Sequence, residues 1–311
     1  MKNDLFIVGP MFGPTLKALD EAYATHKLWL APDKEALFAS VADRCTAAAT
    51  TGGRGMDAAL MAKLPKLKML ANFGVGTDAI DLDAAKARGI AVSNTPDVLT
   101  EDVADLAFAL LLATVRRVAA GDRYVRAGKW LEKPMMLTES VQGKTLGVIG
   151  MGRIGKAIAR RAEAFNLKIA YQGPNRKADL RWPYFSDVAA MARECDFLVA
   201  SCPGGEATRN LINRAAIDAL GAKGVVVNIS RGAVIDEPEL IAALKEGRLG
   251  GAGLDVFVDE PRVPEAFFAM DNVVLQPHVG SATFPTREAM GRLVIDNLEL
   301  FFAGKPLKTP V

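Results

Sequence analysis

Between Leu146 and Tyr171 the chain runs strand, glycine turn, helix, strand, and this order constrains its fold more than any other stretch. The apolar run Leu146-Gly147-Val148-Ile149 leads into Gly150-Met151-Gly152-Arg153-Ile154-Gly155, and after a helical stretch Leu167-Lys168-Ile169-Ala170-Tyr171 forms a second strand. Glycines at this spacing suit a tight turn where backbone N–H groups and a helix N-terminus meet a pyrophosphate. A glycine turn alone would be a common connection. With both strands and the helix in place, the pattern points to a dinucleotide.

Units that bind NAD usually close the second strand with Asp or Glu, whose carboxylate takes the ribose hydroxyls. Here the strand runs into Gln172-Gly173-Pro174-Asn175-Arg176-Lys177. An amide and two cations suit a 2′-phosphate, so NADP is the expected cofactor. NAD remains the alternative, with Arg176 and Lys177 as solvated loop charges.

A chain of 311 residues, half of them apolar, exceeds what one core usually supports, and two domains are expected. The net charge of +2 argues against nucleic acid or an anionic membrane surface as partner. Cys45, Cys195 and Cys202 form no C-x-x-C pair, which disfavours a disulfide framework or a cysteine zinc site and fits a reducing compartment. No metal is expected. The start, Met1-Lys2-Asn3-Asp4 before a short apolar run, lacks a signal-peptide shape, and residues 104–115 come closest to a membrane span but are too few. A soluble, cytoplasmic protein is the expectation.

Because the glycine turn lies mid-chain, nearly half the sequence precedes it and needs its own core. That part alternates strands at 5–8, 27–30, 47–51, 68–72 and 90–93 with helices such as 15–24 and 81–88, as in a parallel sheet covered on both faces. Asn94-Thr95-Pro96-Asp97 is a turn-rich break. The helix expected next, over 100–120, has a capping-box-like start at Thr100 and no internal Gly or Pro, and suits a crossing between domains. Beyond the turn come strands at 197–200, 225–229, 252–255 and 273–275 and helices at 214–220 and 237–246. A last helix, 286–302, is expected to pack back on the first domain.

Three later segments each place a polar residue just beyond a strand, where ligands of open α/β sheets bind. They are Asn228-Ile229-Ser230-Arg231-Gly232, Asp255-Val256-Phe257-Val258-Asp259-Glu260-Pro261 and Gln276-Pro277-His278-Val279-Gly280-Ser281-Ala282-Thr283. Together with Asn72-Phe73-Gly74-Val75-Gly76-Thr77-Asp78 and the glycine turn, these motifs in this order resemble the D-isomer-specific 2-hydroxyacid dehydrogenase family, more narrowly its glyoxylate and hydroxypyruvate reductase branch. The resemblance spans essentially the whole length.

It implies an α/β protein of two doubly wound parallel-sheet domains, with a Rossmann nucleotide domain (97–285) inserted into a flavodoxin-like substrate domain (1–96 plus 286–311). It also implies that Arg231, Glu260 and His278 are the catalytic set. Gly74, Val75 and Gly76 resemble the loop whose backbone N–H groups bind the substrate carboxylate, beside Arg231 and His278. The cofactor set comprises Gly150, Gly152, Arg153, Ile154 and Gly155 at the pyrophosphate, Asn175, Arg176 and Lys177 at the ribose, and Ile229 and Ser230. Thr100, Asp255 and Gly280 match positions near the nicotinamide, with Asp255 toward its carboxamide. Cys202-Pro203 resembles the loop over the adenosine, with Thr208 a further contact. A homodimer joined through the nucleotide domains is implied, with the 100–120 helix taking part, although so apolar a helix equally fits internal burial.

The chemistry agrees independently. Reducing a 2-oxo acid needs an anchored carboxylate, a polarised ketone, a proton for the nascent alkoxide and a hydride donor held close. Arginine's planar, permanently charged fork suits the first two tasks. Histidine changes charge near neutrality, and a neighbouring carboxylate would favour the imidazolium and orient its ring. Each residue also has a plain structural reading: His278 as a satisfied loop residue, Glu260 as a loop carboxylate, Arg231 as a backbone cap. The other histidine, His26, reads as an ordinary surface or strand-edge residue, and Arg54 sits on a loop of the first domain with a possible substrate role. For Cys202 no base or resolving cysteine is evident. Domain closure over the substrate, hinged at 94–97 and near Phe284-Pro285, would exclude water.

The function expected is NADPH-dependent reduction of glyoxylate and hydroxypyruvate to D-2-hydroxy acids. Alternatives are a 3-phosphoglycerate or other D-2-hydroxyacid dehydrogenase using NAD, a formate dehydrogenase, for which a Glu–His proton pair is unnecessary, and a non-catalytic nucleotide sensor. The phosphoglycerate enzyme often carries an added regulatory domain, whereas this sequence stops at Val311.

Overall fold

Strands and helices alternate through the computed structural model, which describes residues 2–311. They divide into two units, Met1–Leu99 with Ser281–Val311, and Thr100–Gly280.

The first unit contains β1 (Asp4–Ile7), α1 (Gly13–Ala22), β2 (Ala24–Lys27), α2 (Lys34–Val41), β3 (Ala47–Thr51), α3 (Ala58–Ala62), β4 (Met69–Phe73), α4 (Leu82–Ala87) and β5 (Ala91–Ser93). Its strands pair in parallel in the order β2-β1-β3-β4-β5, the flavodoxin-like arrangement. β3 and β4 are buried almost throughout, which is why they read as apolar runs rather than alternating patterns. Leu5, Phe6, Met61 and Leu70 are fully buried, each such side chain contributing about 1.5–3 kcal/mol.

The second unit opens with α5 (Thr100–Val115) and α6 (Val118–Arg126), followed by β6 (Thr145–Ile149), α7 (Arg153–Ala164), β7 (Lys168–Gln172) and β8 (Tyr184–Phe185). It continues with α8 (Val188–Ala192), β9 (Phe197–Ala200), α9 (Arg214–Leu220), β10 (Val225–Asn228), α10 (Glu237–Glu246), β11 (Gly251–Leu254) and β12 (Val273–Leu275). The parallel order β12-β11-β10-β9-β6-β7-β8 is the Rossmann order with one strand added. The chain then returns to the first unit, where α11 (Phe284–Phe302) packs on β4 and α1.

Short polar side chains fix many helix starts. Asp33, Asp57, Asp81, Asp187, Asn213 and Asp236 each accept a backbone N–H in the first turn of the helix they precede, about 1 kcal/mol apiece.

Two expectations need correction. The strand expected at 27–30 lies at Ala24–Lys27, because pairing with β1 ends at Lys27 and Leu28–Leu30 turns as a 3-10 segment. The helix expected over 100–120 breaks at Arg117, which takes a left-handed φ of 50° without being glycine, so no Gly or Pro marked the break. Phe284 and Pro285 form the first turn of α11, and Asn94 and Thr95 are hydrogen-bonded within the first unit, through Thr309 and Gly74. The division between units falls at Leu99/Thr100 and Gly280/Ser281. Among the described residues no helix is long and apolar enough to cross a membrane.

Candidate active site

The strand order of the Rossmann sheet reverses between β6 and β9, and the glycine turn sits there. Gly150 has φ +90°, and a Cβ on it would lie 2.6 Å from the Cys202 backbone, so the turn and the loop after β9 can meet only at glycine. Ser201 Oγ donates to Gly150 O at 2.8 Å and ties the two together. A Cβ on Gly155 would lie 2.3 Å from Gly150 O, which seats α7 against the turn. Gly152, in contrast, is the N-cap of α7, has no capping side chain, and its Cβ would enter open space. An uncapped helix start with an open approach fits a pyrophosphate.

At the end of β7, buried Tyr171 shapes the loop that carries the cationic triplet. Lys177 N–H donates to Tyr171 Oη at 2.9 Å, and Tyr184 Oη donates to Gly173 O at 3.1 Å. Asn175, Arg176 and Lys177 are all exposed, with no acid in the position that NAD-binding units fill. Nearby Asp179 pairs with Lys156 at 2.7 Å, and that bond holds its carboxyl below the usual range.

The three strand-end segments converge. After β10, buried Asn228 accepts from Ser230 N and Oγ, each at 3.0 Å, and donates to Arg231 O at 2.8 Å. This sets the turn that presents half-buried Arg231, whose Nη1 also donates to Ser230 O at 2.8 Å. Gly232 lies flat on the segment after β11: a Cβ there would be 2.0 Å from Phe257 C. In that segment Phe257 N–H donates to Glu260 Oε1 at 3.0 Å, leaving Oε2 to meet His278 Nδ1 at 2.6 Å.

His278 is held by its backbone at φ 55°, a conformation uncommon for a non-glycine residue. Its N–H donates to Asp255 O, and Val279 N and Gly280 N donate to Asp255 Oδ1 and Oδ2 at 2.7 and 2.9 Å. Asp255 is thus a buried clamp on the histidine loop. Burial raises its carboxyl and the two N–H bonds only partly offset that.

Burial also pushes the Glu260 carboxyl upward, but the hydrogen bond and charge of His278, the Phe257 N–H and the charge of Arg231 together hold it below the ordinary 4.5. An ionised carboxylate only accepts hydrogen bonds, so the hydrogen sits on Nδ1. Nε2 of His278, whose side chain is 45% exposed, is then the nitrogen available to a ligand.

In the first unit, the Gly74-Val75-Gly76 loop turns its carbonyls inward. Thr95 N–H donates to Gly74 O, Asn94 Nδ2 to Val75 O and Asn72 Nδ2 to Gly76 O, at 2.9–3.0 Å. The Val75 and Gly76 N–H groups have no acceptor among the described residues, which suits an anion.

Other expected residues have plainer surroundings. Thr100 is the first residue of α5, Ile229 is buried beyond β10, and the Thr208 hydroxyl donates to Pro203 O and Gly205 O, shaping its own loop. Burial pushes the Cys202 thiol up to about 11, which leaves no thiolate for redox work. His26 joins Asp4 at 2.6 Å on the edge strand β2. No group of three metal-ligating side chains occurs among the described residues. The sequence reading gave no role to Asn228, Gly232 or Tyr171, whose work depends on contacts that local pattern does not encode.

Residues 108–280 match the family model described as the NAD binding domain of D-isomer specific 2-hydroxyacid dehydrogenases. The chain is 50% identical to glyoxylate/hydroxypyruvate reductase A of Arabidopsis thaliana over 97% of its own length and 96% of that protein's. It is 48% identical, over the same shares of the two chains, to the hydroxyphenylpyruvate reductase of Plectranthus scutellarioides. A solved NADPH-dependent glyoxylate/hydroxypyruvate reductase from Sinorhizobium meliloti, in complex with NADP and malonate, superposes with a TM-score of 0.92 at 40% identity, covering 100% of this chain and 97% of that one. With a Rossmann unit set into a flavodoxin-like one and a histidine–glutamate pair at its strand ends, the chain belongs to the D-isomer specific 2-hydroxyacid dehydrogenase family, oxidoreductases that use a nicotinamide cofactor.

Proposed function

We propose that this enzyme reduces small 2-oxo acids, glyoxylate and hydroxypyruvate among them, to D-2-hydroxy acids with NADPH. The observation that carries the reading is the 2.6 Å pair between His278 Nδ1 and Glu260 Oε2, packed beside the turn that bears Arg231. The reductase names of its relatives support the substrate class.

The reduced nicotinamide supplies the hydride that goes to C2 of the 2-oxo acid. Arg231 anchors the substrate carboxylate and polarises the ketone, and the Val75 and Gly76 N–H groups are the first unit's carboxylate-binding pair. His278 donates the Nε2 proton to the ketone oxygen as negative charge develops on it, and in the reverse direction the neutral ring takes that proton back. Glu260 keeps the ring oriented and stabilises its charged form. Gly74 gives the carboxylate loop its close turn, and Asp255 holds the backbone of Val279 and Gly280 in place.

On the cofactor side, Gly150, Gly152, Arg153, Ile154 and Gly155 serve the pyrophosphate, and Asn175, Arg176 and Lys177 the 2′-phosphate. Thr100, Cys202, Pro203, Thr208, Ile229, Ser230, Asp255 and Gly280 complete the cofactor's surroundings. Arg176→Ala is expected to lower kcat/KM for NADPH roughly tenfold to a hundredfold, the effect of losing a charge-assisted hydrogen bond, with little change for NADH. Equal losses with both cofactors would refute a 2′-phosphate contact.

The proposal extends to a homodimer. α5 buries Val103, Ala107, Phe108, Leu110 and Leu111 within its own unit, so it is internal packing and not free surface. The exposed apolar side chains lie further on, at Val125, Trp130, Leu131, Met136 and Leu137. So dense a run of exposed large apolar groups suits a second copy.

Mixing the protein with NADPH and glyoxylate or hydroxypyruvate, and following the nicotinamide absorbance, tests the activity. Oxidation that depends on the 2-oxo acid is expected. None with any small 2-oxo acid would leave a nucleotide-sensing protein instead.

A further inference from the structure

The five-stranded sheet has its own topological switch point, between β1 and β3. Ligands of open parallel sheets settle beyond the strand carboxyl ends at such a point. Arg54 straddles it. The residue follows β3, yet its stem lies over the residues after β1: a Cβ built on Gly9 would be 2.9 Å from Arg54 Cγ and 3.6 Å from Nε. Arg54 is exposed and, among the described residues, its guanidinium has neither a hydrogen-bond nor an ion-pair partner.

A further contact ties the loop of this arginine to the carboxylate loop, and a second arginine lies at the same sheet end. Gly52 packs against that loop so closely that a Cβ on Gly74 would be 3.2 Å from Gly52 Cα. At the same end of the sheet, where Thr51 of β3 pairs with Phe73 of β4, Arg287 from the first turn of α11 has its guanidinium carbon 5.6 Å from the centre of the Phe73 ring. Burial pulls the Arg287 guanidinium below its ordinary value, with no carboxylate to offset that cost. A helix N-terminus is also the unfavourable end for a cation. This edge therefore carries more unanswered positive charge than a single carboxylate requires.

We infer that Arg54 binds a second acidic group, so that the enzyme favours 2-oxo acids with another carboxylate at the far end of the chain. Arg287 adds to the same positive field. The inference rests on the 2-oxo acid reductase activity proposed for the chain.

The test compares kcat/KM for 2-oxoglutarate with that for 2-oxopentanoate, which has the same chain length without the second carboxylate. Wild type, Arg54→Met and Arg54→Lys are measured side by side; methionine keeps the apolar stem over Gly9 and thus the fold. The wild type should favour 2-oxoglutarate. Arg54→Met should lower that ratio roughly tenfold to a hundredfold, as expected for a lost hydrogen bond to a charged group, and Arg54→Lys should restore part of it. A ratio unchanged in Arg54→Met, or a wild-type preference for 2-oxopentanoate, overturns the inference. If hydroxypyruvate is reduced and the ratio does not move, only the role of Arg54 fails; if no 2-oxo acid is reduced, the reductase activity fails with it.

Discussion

His278→Ala is expected to lower kcat for 2-oxo acid reduction by roughly 10²–10⁴-fold, the range for loss of a positioned general acid. Cofactor binding, read by nicotinamide fluorescence, should stay near wild type, because the pyrophosphate turn lies at other strand ends. Glu260 adds nothing to the pH dependence near neutrality. Its carboxyl is held below 4.5, so it remains charged down to that pH. Reduction takes up a proton through the histidine and oxidation of a 2-hydroxy acid releases one, so the rate of reduction relative to that of oxidation should fall as pH rises. Wild-type turnover in His278→Ala would remove the histidine from proton transfer.

Gly232→Ala should be nearly as damaging, although residue 232 has no side chain. The added Cβ would sit 2.0 Å from Phe257 C and 2.3 Å from Val258 N, both backbone atoms that cannot swing aside. The Arg231 turn must then lift away from the segment that holds Glu260. Overpacking of this kind costs about 1–3 kcal/mol, and a displacement near 1 Å at a reacting group costs roughly 100-fold in rate. A lowered urea midpoint together with a kcat reduced about that much is the expected pair of results. Wild-type stability and turnover together would mean that the two segments are not packed against each other in solution.

Much of this architecture is legible in the sequence, for identifiable reasons. Strands buried on both faces read as unbroken apolar runs, and β3, β9 and β12 lie at the residues expected of them. Asn213 and Asp236 mark the starts of α9 and α10, which also lie where expected. What failed depends on non-local or exceptional conformation. β8 is only two residues long and exists by pairing with β7. The break after α5 is made by an arginine in a glycine-like conformation, and β2 is set by its register with β1 rather than by its own pattern. At the active site, the order of Arg231, Glu260 and His278 along the chain is visible from sequence. The clamp of Asp255, the frame of Asn228 and the flat face of Gly232 are not, since each is defined by a partner on another loop. The stem of Arg54 over Gly9 is a contact of the same sort.

The most direct measurement is reduction of hydroxypyruvate by NADPH with the product resolved on a chiral column and NADPH counted alongside. One D-glycerate per NADPH consumed is the expected result, with NADH markedly poorer in kcat/KM. L-glycerate as the product, equal or better use of NADH, or no oxidation of NADPH at all would contradict the account.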